Sequence, residues 1–301
     1  MSRRAQPLPP WVAIVILVGI GVAVWIAHKR AASEQSKPPV VVEPANRPSE
    51  RPGAPTSTGP ATATGDNVAL GAPSNASAST PDDFLISRTA YTLSFNRSRG
   101  IPNWVSWHLS AADLGPVERG QFAPDPVIPK EWGRITPNDY RNIGYDRGHM
   151  CPSGDRTKDK KINAETFMMT NIVPQAADNN QGPWADLEDY CRNLAKGGNE
   201  LYIVAGGAGP FSTVDDGKLA VPGSTWKVIL VLPEGTDDAA RVSAKTRVIA
   251  VVMPNQSGIR NRDWKTFRTK AKAIEDATGL SLFSKLPADV RSALESRVDT
   301  E

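Results

Sequence analysis

Apolar and polar positions divide the chain into three stretches. The first is an uncharged apolar run of 17 residues between Trp11 and Ala27, reading WVAIVILVGIGVAVWIA. It meets the lower bound of about 17–25 residues for a membrane-spanning helix. Trp11 and Trp25 stand near its two ends, where indole rings favour the membrane interface. The second stretch, residues 31–83, has almost no aliphatic or aromatic clusters and is crowded with Pro, Ala, Ser, Thr and Gly. Such a segment buries too little apolar surface to offset the entropy of ordering it, which predicts a disordered, extended linker. The third stretch, residues 84–301, has the patterning of a folded domain.

Within that third stretch, residues 91–95 (YTLSF) and 104–109 (WVSWHL) alternate with period two and predict strands. Residues 201–205 (LYIVA) form a short apolar run. Residues 225–232 (TWKVILVL) and 246–253 (TRVIAVVM) are β-branched runs that predict buried central strands. Over residues 183–196, Trp184, Leu187, Cys191 and Leu194 recur at spacings of 3, 4 and 3, one stripe of a helix. Pro183 suits its first position. A second helix is expected over about 263–277, with Asp263 as N-cap and Trp264, Phe267, Ala271 and Ile274 as its buried stripe. Strands and helices mix without regular β-α-β alternation, which predicts the α+β class.

All five tyrosines, all seven phenylalanines and six of the eight tryptophans fall in residues 84–301. That excludes a wholly disordered chain, a small disulfide scaffold and a polytopic membrane protein. The apolar run at the N-terminus has two readings, an uncleaved anchor or a signal peptide. A signal's apolar region is usually about 7–15 residues long and ends in a small-x-small site. Here the run ends in His28-Lys29-Arg30, and Ala31-Ala32-Ser33 lies beyond those charges. The anchor is preferred, which gives 1–30 as a transmembrane anchor, 31–83 as linker and 84–301 as the folded domain. Arg3 and Arg4 on one side compete with Lys29, Arg30 and Lys37 on the other, so flanking charge leaves the orientation open.

The net charge of +3 says little about partners, and residues 84–301 hold 28 basic against 26 acidic residues. No global field attracts nucleic acid, so any phosphate-binding surface is local. His108 sits in an alternating strand, where a structural role is favoured. His149 lies in Asp146-Arg147-Gly148-His149-Met150-Cys151-Pro152, which is poor core material. Downstream come Asn171, the amide-rich Asp178-Asn179-Asn180-Gln181-Gly182-Pro183-Trp184, and then Glu188 and Arg192 at i, i+4 on the helix. Alone, the amides read as a cap and turn, and Glu188 with Arg192 as a surface pair. Together with His149 they supply an imidazole base, oxygen ligands for a hard cation and guanidinium groups for phosphate. That set suits metal-assisted phosphodiester hydrolysis.

On these residues the chain resembles the DNA/RNA non-specific endonucleases, sugar-non-specific nucleases of the ββα-metal-finger class. It looks like their secreted cyanobacterial members and, more distantly, mitochondrial endonuclease G. Asp146-Arg147-Gly148-His149 matches the D-R-G-H signature. Asn180 and Glu188, 31 and 39 residues downstream of His149, match the metal helix. Residues 274–287 match the closing segment. The resemblance implies an α+β, ββα-metal (His-Me finger) fold with a mixed central sheet. It implies a sequence-non-specific endonuclease acting on DNA and RNA, with His149 activating water and Asn180 as the direct protein ligand of Mg²⁺, Mn²⁺ being a substitute. Glu188 would hold the metal's waters. Arg147 and Arg192 would contact phosphate or brace the site, Arg119 would be the upstream phosphate arginine, and Asp146 and Asn171 would support the site from behind.

A non-specific nuclease active in the cytoplasm would attack its own cell's nucleic acid. This favours an extracytoplasmic domain tethered through residues 11–27, with a mitochondrial location or secretion after cleavage as alternatives. A domain facing inward would require a bound protein inhibitor. The rival function is a tethered nucleic-acid-binding module that does not cut. His149, Asn180 and Glu188 together argue against it, because binding alone needs no base beside a metal. Two features stay open. Cys151 and Cys191 form a disulfide or remain buried thiols. The basic set Arg260, Arg262, Lys265, Arg268, Lys270 and Lys272 is a phosphate track or, the favoured reading, a solvated helix face.

Overall fold

The structure, a computed structural model, describes residues 66–301. The apolar run between Trp11 and Ala27 and most of the linker lie outside the described residues. Among the described residues no helix is long and apolar enough to cross a membrane.

Seven strands form one sheet: β1 (Phe84–Ser87), β2 (Thr92–Asn96), β3 (Ile101–Leu109), β6 (Asn199–Val214), β7 (Leu219–Pro233), β8 (Arg247–Pro254) and β9 (Arg268–Thr269), adjacent in that order. The alternating and β-branched runs of the sequence supply its central members. Every ladder between these strands is antiparallel, so the expected mixed sheet is corrected to an antiparallel one. Antiparallel neighbours need only tight turns, and no helical crossover separates β6 from β7. A second, two-stranded sheet pairs β4 (Asp146–His149) with β5 (Ile172–Gln175), Asp146 opposite Gln175 and His149 opposite Ile172.

The helices are α1 (Lys160–Glu165), α2 (Ala177–Asn180), α3 (Pro183–Lys196), α4 (Asp238–Arg241), α5 (Ala271–Thr278) and α6 (Ala288–Glu295). Helix α3 has the span that its apolar stripe predicts. Trp184, Leu187 and Cys191 are buried against one face of the large sheet with Trp107, Ile229 and Val251. Burying Trp184 and Leu187 contributes roughly 1.5–3 kcal/mol each. The opposite face packs Trp104, Trp226, Val228 and Leu230 against Ile274 of α5 and Leu294 of α6.

Two boundaries differ from expectation. Val68 and Leu70 are buried in that second face, so the fold begins by Asp66 and not at residue 84. The helix expected over 263–277 is broken. A 3-10 turn, Trp264–Phe267, capped by Asp263 accepting from the Lys265 N–H, leads into β9 before α5 begins. Arg268 and Thr269 are drawn into extended conformation by pairing with Val251 and Ala250 of β8. The antiparallel pair β4–β5 followed by α3 is the ββα unit that carries the site.

Candidate active site

His149 ends β4, Asn180 ends α2 and Glu188 lies in the second turn of α3. These three side chains, with Arg119, Arg147 and Arg192, line one cavity of about 430 Å³. Gly148 lets β4 approach β5 closely, because a Cβ there would come within 2.1 Å of Gln175 Oε1 and 2.6 Å of its Cβ. That accounts for the glycine between Arg147 and His149.

His149 is 8% exposed, and its Nε2 is buried without a hydrogen-bond partner. Its ring is gripped by two phenylalanines, Phe122 with centroids 5.1 Å apart and Phe167, edge-on, at 5.0 Å. Burial pushes the imidazole down from its ordinary 6.5 to about 3, and the Arg119 guanidinium adds to the fall. His149 is therefore neutral at neutral pH. Arg119 lies over the Phe167 ring at 5.6 Å and Arg147 over the Phe122 ring at 5.3 Å, so each aromatic wall of the histidine also carries a cation. Arg147 is held by donating to the Pro137 carbonyl at 2.8 Å.

Asn171 does not line the cavity. It is fully buried and clamps the chain just after His149, accepting from the Cys151 N–H at 3.0 Å and donating to the Cys151 and Thr166 carbonyls, each at 2.8 Å. Asp146 accepts from Asn180 Nδ2 at 2.9 Å and from Gln181 Nε2 at 2.7 Å. The Asn180 amide is thereby oriented, its Nδ2 spent on Asp146 and its Oδ1 left for another partner. Arg260 donates to Gln181 Oε1 at 3.2 Å and pairs with Asp178 at 3.0 Å, linking the loop after β8 to this edge of the site.

Arg192 does not pair with Glu188, as the i, i+4 spacing would allow. Its guanidinium bridges the buried Asp155 at 3.0 Å and Asp189 at 2.5 Å. Asp155 also accepts from Trp107 Nε1 at 3.0 Å. Arg192 is thus a brace between these two carboxylates. Glu188 faces Lys227 Nζ at 3.5 Å instead. Burial raises the Glu188 carboxyl above its ordinary range, and the Lys227 ammonium opposes that rise.

Sequence reasoning missed Phe122, Phe167, Asp155 and Lys227. Lys227 left one signal, a lone charge inside the β-branched run of residues 225–232. Cys151 and Cys191 are both buried free thiols, with burial pushing Cys191 up to about 12. Part of the basic set around residues 260–272 is engaged by carboxylates or an aromatic ring. Arg268 pairs with Asp299, Lys272 with Asp276, and Arg262 lies over Phe267.

His108 also has a local role. It bonds Glu200 at 3.0 Å on the sheet face away from the finger, and Asp238 completes a His-carboxylate cluster there. Arg241 pairs with both carboxylates of that cluster and offsets part of their charge.

A family model for DNA/RNA non-specific endonucleases matches residues 71–289. The chain belongs to the DNA/RNA non-specific endonuclease family. It is 44% identical over 236 residues to a nuclease of Nostoc sp., covering 77% of this chain and 86% of that one. It is 33% identical over 224 residues to human mitochondrial nuclease EXOG, covering 68% of this chain and 58% of that protein. The chain thus spans less than two thirds of the mitochondrial relative's length. The crystal structure of the EndoG/EndoGI complex, which concerns the mechanism of EndoG inhibition, superposes with a TM-score of 0.62 at 28% identity. That match covers 75% of this chain and 95% of the other. As a member of this family the protein is a non-specific endonuclease of DNA and RNA, and its fold is the ββα-metal nuclease fold of the α+β class.

Proposed function

We propose that His149 is the general base of phosphodiester hydrolysis and that Asn180 and Glu188 hold the divalent cation, Mg²⁺ with Mn²⁺ as a substitute. The observation that carries this reading is that one cavity is lined by a neutral imidazole, an oriented amide, a carboxylate and three arginines. The donor set fits a hard cation. Asn180 offers a neutral oxygen whose amide nitrogen is already spent on Asp146, and Glu188 adds a carboxylate to hold the cation's waters. When bound, such a cation supplies charge stabilisation at the phosphate and the leaving oxygen.

His149 is free to take a proton from the attacking water at neutral pH, since burial keeps it unprotonated. The rings of Phe122 and Phe167 fix its plane. Arg119 and Arg147 present positive charge to the phosphate on either side of the imidazole, while Arg192 braces α3 through Asp155. Contacts of this kind read the phosphodiester backbone rather than base edges, in keeping with substrates of both sugars. Cleavage of plasmid and of RNA by the full chain, followed on gels with Mg²⁺, Mn²⁺ or EDTA, tests the reading. Both substrates are expected to be cut with either metal and neither with EDTA. Metal-independent cutting, or binding without cutting, would overturn it.

We further infer from the apolar run between Trp11 and Ala27 that the domain is tethered outside the cytoplasm. Protease added to intact spheroplasts is then expected to release it. Release only after permeabilisation would put the domain inside, where a bound protein inhibitor would be required.

A further inference from the structure

Lys227 lies on the central strand β7 between Ala205 of β6 and Val251 of β8, and it is 1% exposed. Its strand neighbours Trp226 and Val228 point to the opposite face. The side chain therefore runs under α3. Its Nζ sits 4.1 Å from the centroid of the Trp184 ring and 5.6 Å from that of Trp107. An ammonium in such a place is costly unless a counter-charge meets it, and an apolar residue of similar size would usually stabilise the fold better. Packing alone does not account for a lysine here.

The counter-charge is Glu188. Among the described residues it is the carboxylate within ion-pair distance of Lys227, at 3.5 Å through Oε1. Asp155, the other buried acid nearby, is taken up by Arg192 and by Trp107 Nε1. The two buried cysteines beneath are neutral thiols and offer no charge. Glu188 itself lines the cavity opposite Asn180 and His149. One oxygen thus faces the ammonium below, and the other is left without a protein partner.

We infer that Lys227 is a positioning residue of the nuclease site, an ammonium set under α3 that holds the Glu188 carboxylate by Oε1 so that its other oxygen serves the cation. This rests on the reading of Glu188 given above. Lys227 never meets substrate, and its effect passes wholly through Glu188.

The test uses the full chain with Lys227→Met, Glu188→Gln and the double variant. The readouts are Mn²⁺ binding without substrate, followed by electron paramagnetic resonance, the Mg²⁺ midpoint of plasmid cleavage, and the thermal midpoint. Lys227→Met is expected to weaken Mn²⁺ binding by roughly 10–100-fold, as removal of a supporting partner does. Glu188→Gln should do about the same, and the double variant should be no weaker than Glu188→Gln alone.

Folded Lys227→Met protein with wild-type Mn²⁺ binding, beside a weakened Glu188→Gln, would overturn the inference alone. If Lys227→Met does not fold, the double variant, which leaves no unpaired buried charge, carries the test against Glu188→Gln. Weaker binding by the double variant would show that Lys227 acts by another route and overturn the inference. Wild-type binding by Glu188→Gln would overturn the reading of Glu188 and the inference with it.

Discussion

Asn180 donates its amide nitrogen to Asp146 Oδ2 at 2.9 Å, across the ββα unit from the last residue of α2 to the first of β4. An asparagine side chain turns through either of two amide orientations unless a neighbour selects one. Asp146 accepts only, so it selects the orientation that leaves Oδ1 free. Asp146→Ala is expected to raise the Mg²⁺ midpoint of cleavage by roughly 10–100-fold, with Asn180→Ala at least as severe. A metal titration of plasmid cleavage measures both. An unchanged midpoint in Asp146→Ala would mean that the amide is oriented by other means.

His149→Ala is expected to slow cleavage by about 10²–10⁴-fold, the usual cost of losing a general base. Nucleic-acid binding should persist, because the phosphate-facing cations Arg119 and Arg147 are intact. Gel-shift and cleavage assays on the same preparation separate the two effects. Turnover near wild type would remove His149 from the chemistry.

The same burial makes His149 a source of pH-dependent stability. Its native value is about 3 and its unfolded value near 6.5, so between those limits the unfolded chain binds a proton that the native chain refuses. Stability from this group is therefore full above pH 6.5 and is lost as pH falls towards 3, by up to about 1.4 kcal/mol per pH unit. Urea unfolding at pH 7, 6 and 5 should show a shallower loss in His149→Gln than in wild type. Equal slopes would show that the native imidazole takes up its proton over the same pH range as the unfolded one.

Asn171→Ala removes three hydrogen bonds to buried backbone at Cys151 and Thr166. The expected loss is about 2–4 kcal/mol of stability, since the partners are left without water to replace the amide. Urea unfolding at pH 7 measures it, and a change below about 0.5 kcal/mol would show that the backbone finds other partners. Cleavage per folded molecule should fall as well, because the clamp sits next to His149 in the chain.

The sequence by itself determined the local parts of this protein. The stripe of Trp184, Leu187 and Cys191 with Pro183 at its start specified α3 to its observed bounds, because helix periodicity and capping act within a few residues. Arg147, His149, Asn180 and Glu188 stood out in the sequence through a family resemblance carried by short motifs, and the fold brings these four to one cavity. What the tertiary structure decided are the relations between distant segments. The strand order, and with it an antiparallel rather than mixed sheet, depends on which edges meet. Val68 and Leu70 are the only two large apolar residues of a short run among small and polar ones, residues 66–80, and they gain burial only when the second face of the sheet is present to receive them. Pairing of Arg268 and Thr269 with β8 overrode the helical pattern that began at Asp263. The i, i+4 spacing of Glu188 and Arg192 gave way to a stronger competition. Buried Asp155 draws the arginine and buried Lys227 takes the glutamate, because charges removed from water hold their partners far more firmly than exposed neighbours on a helix surface do.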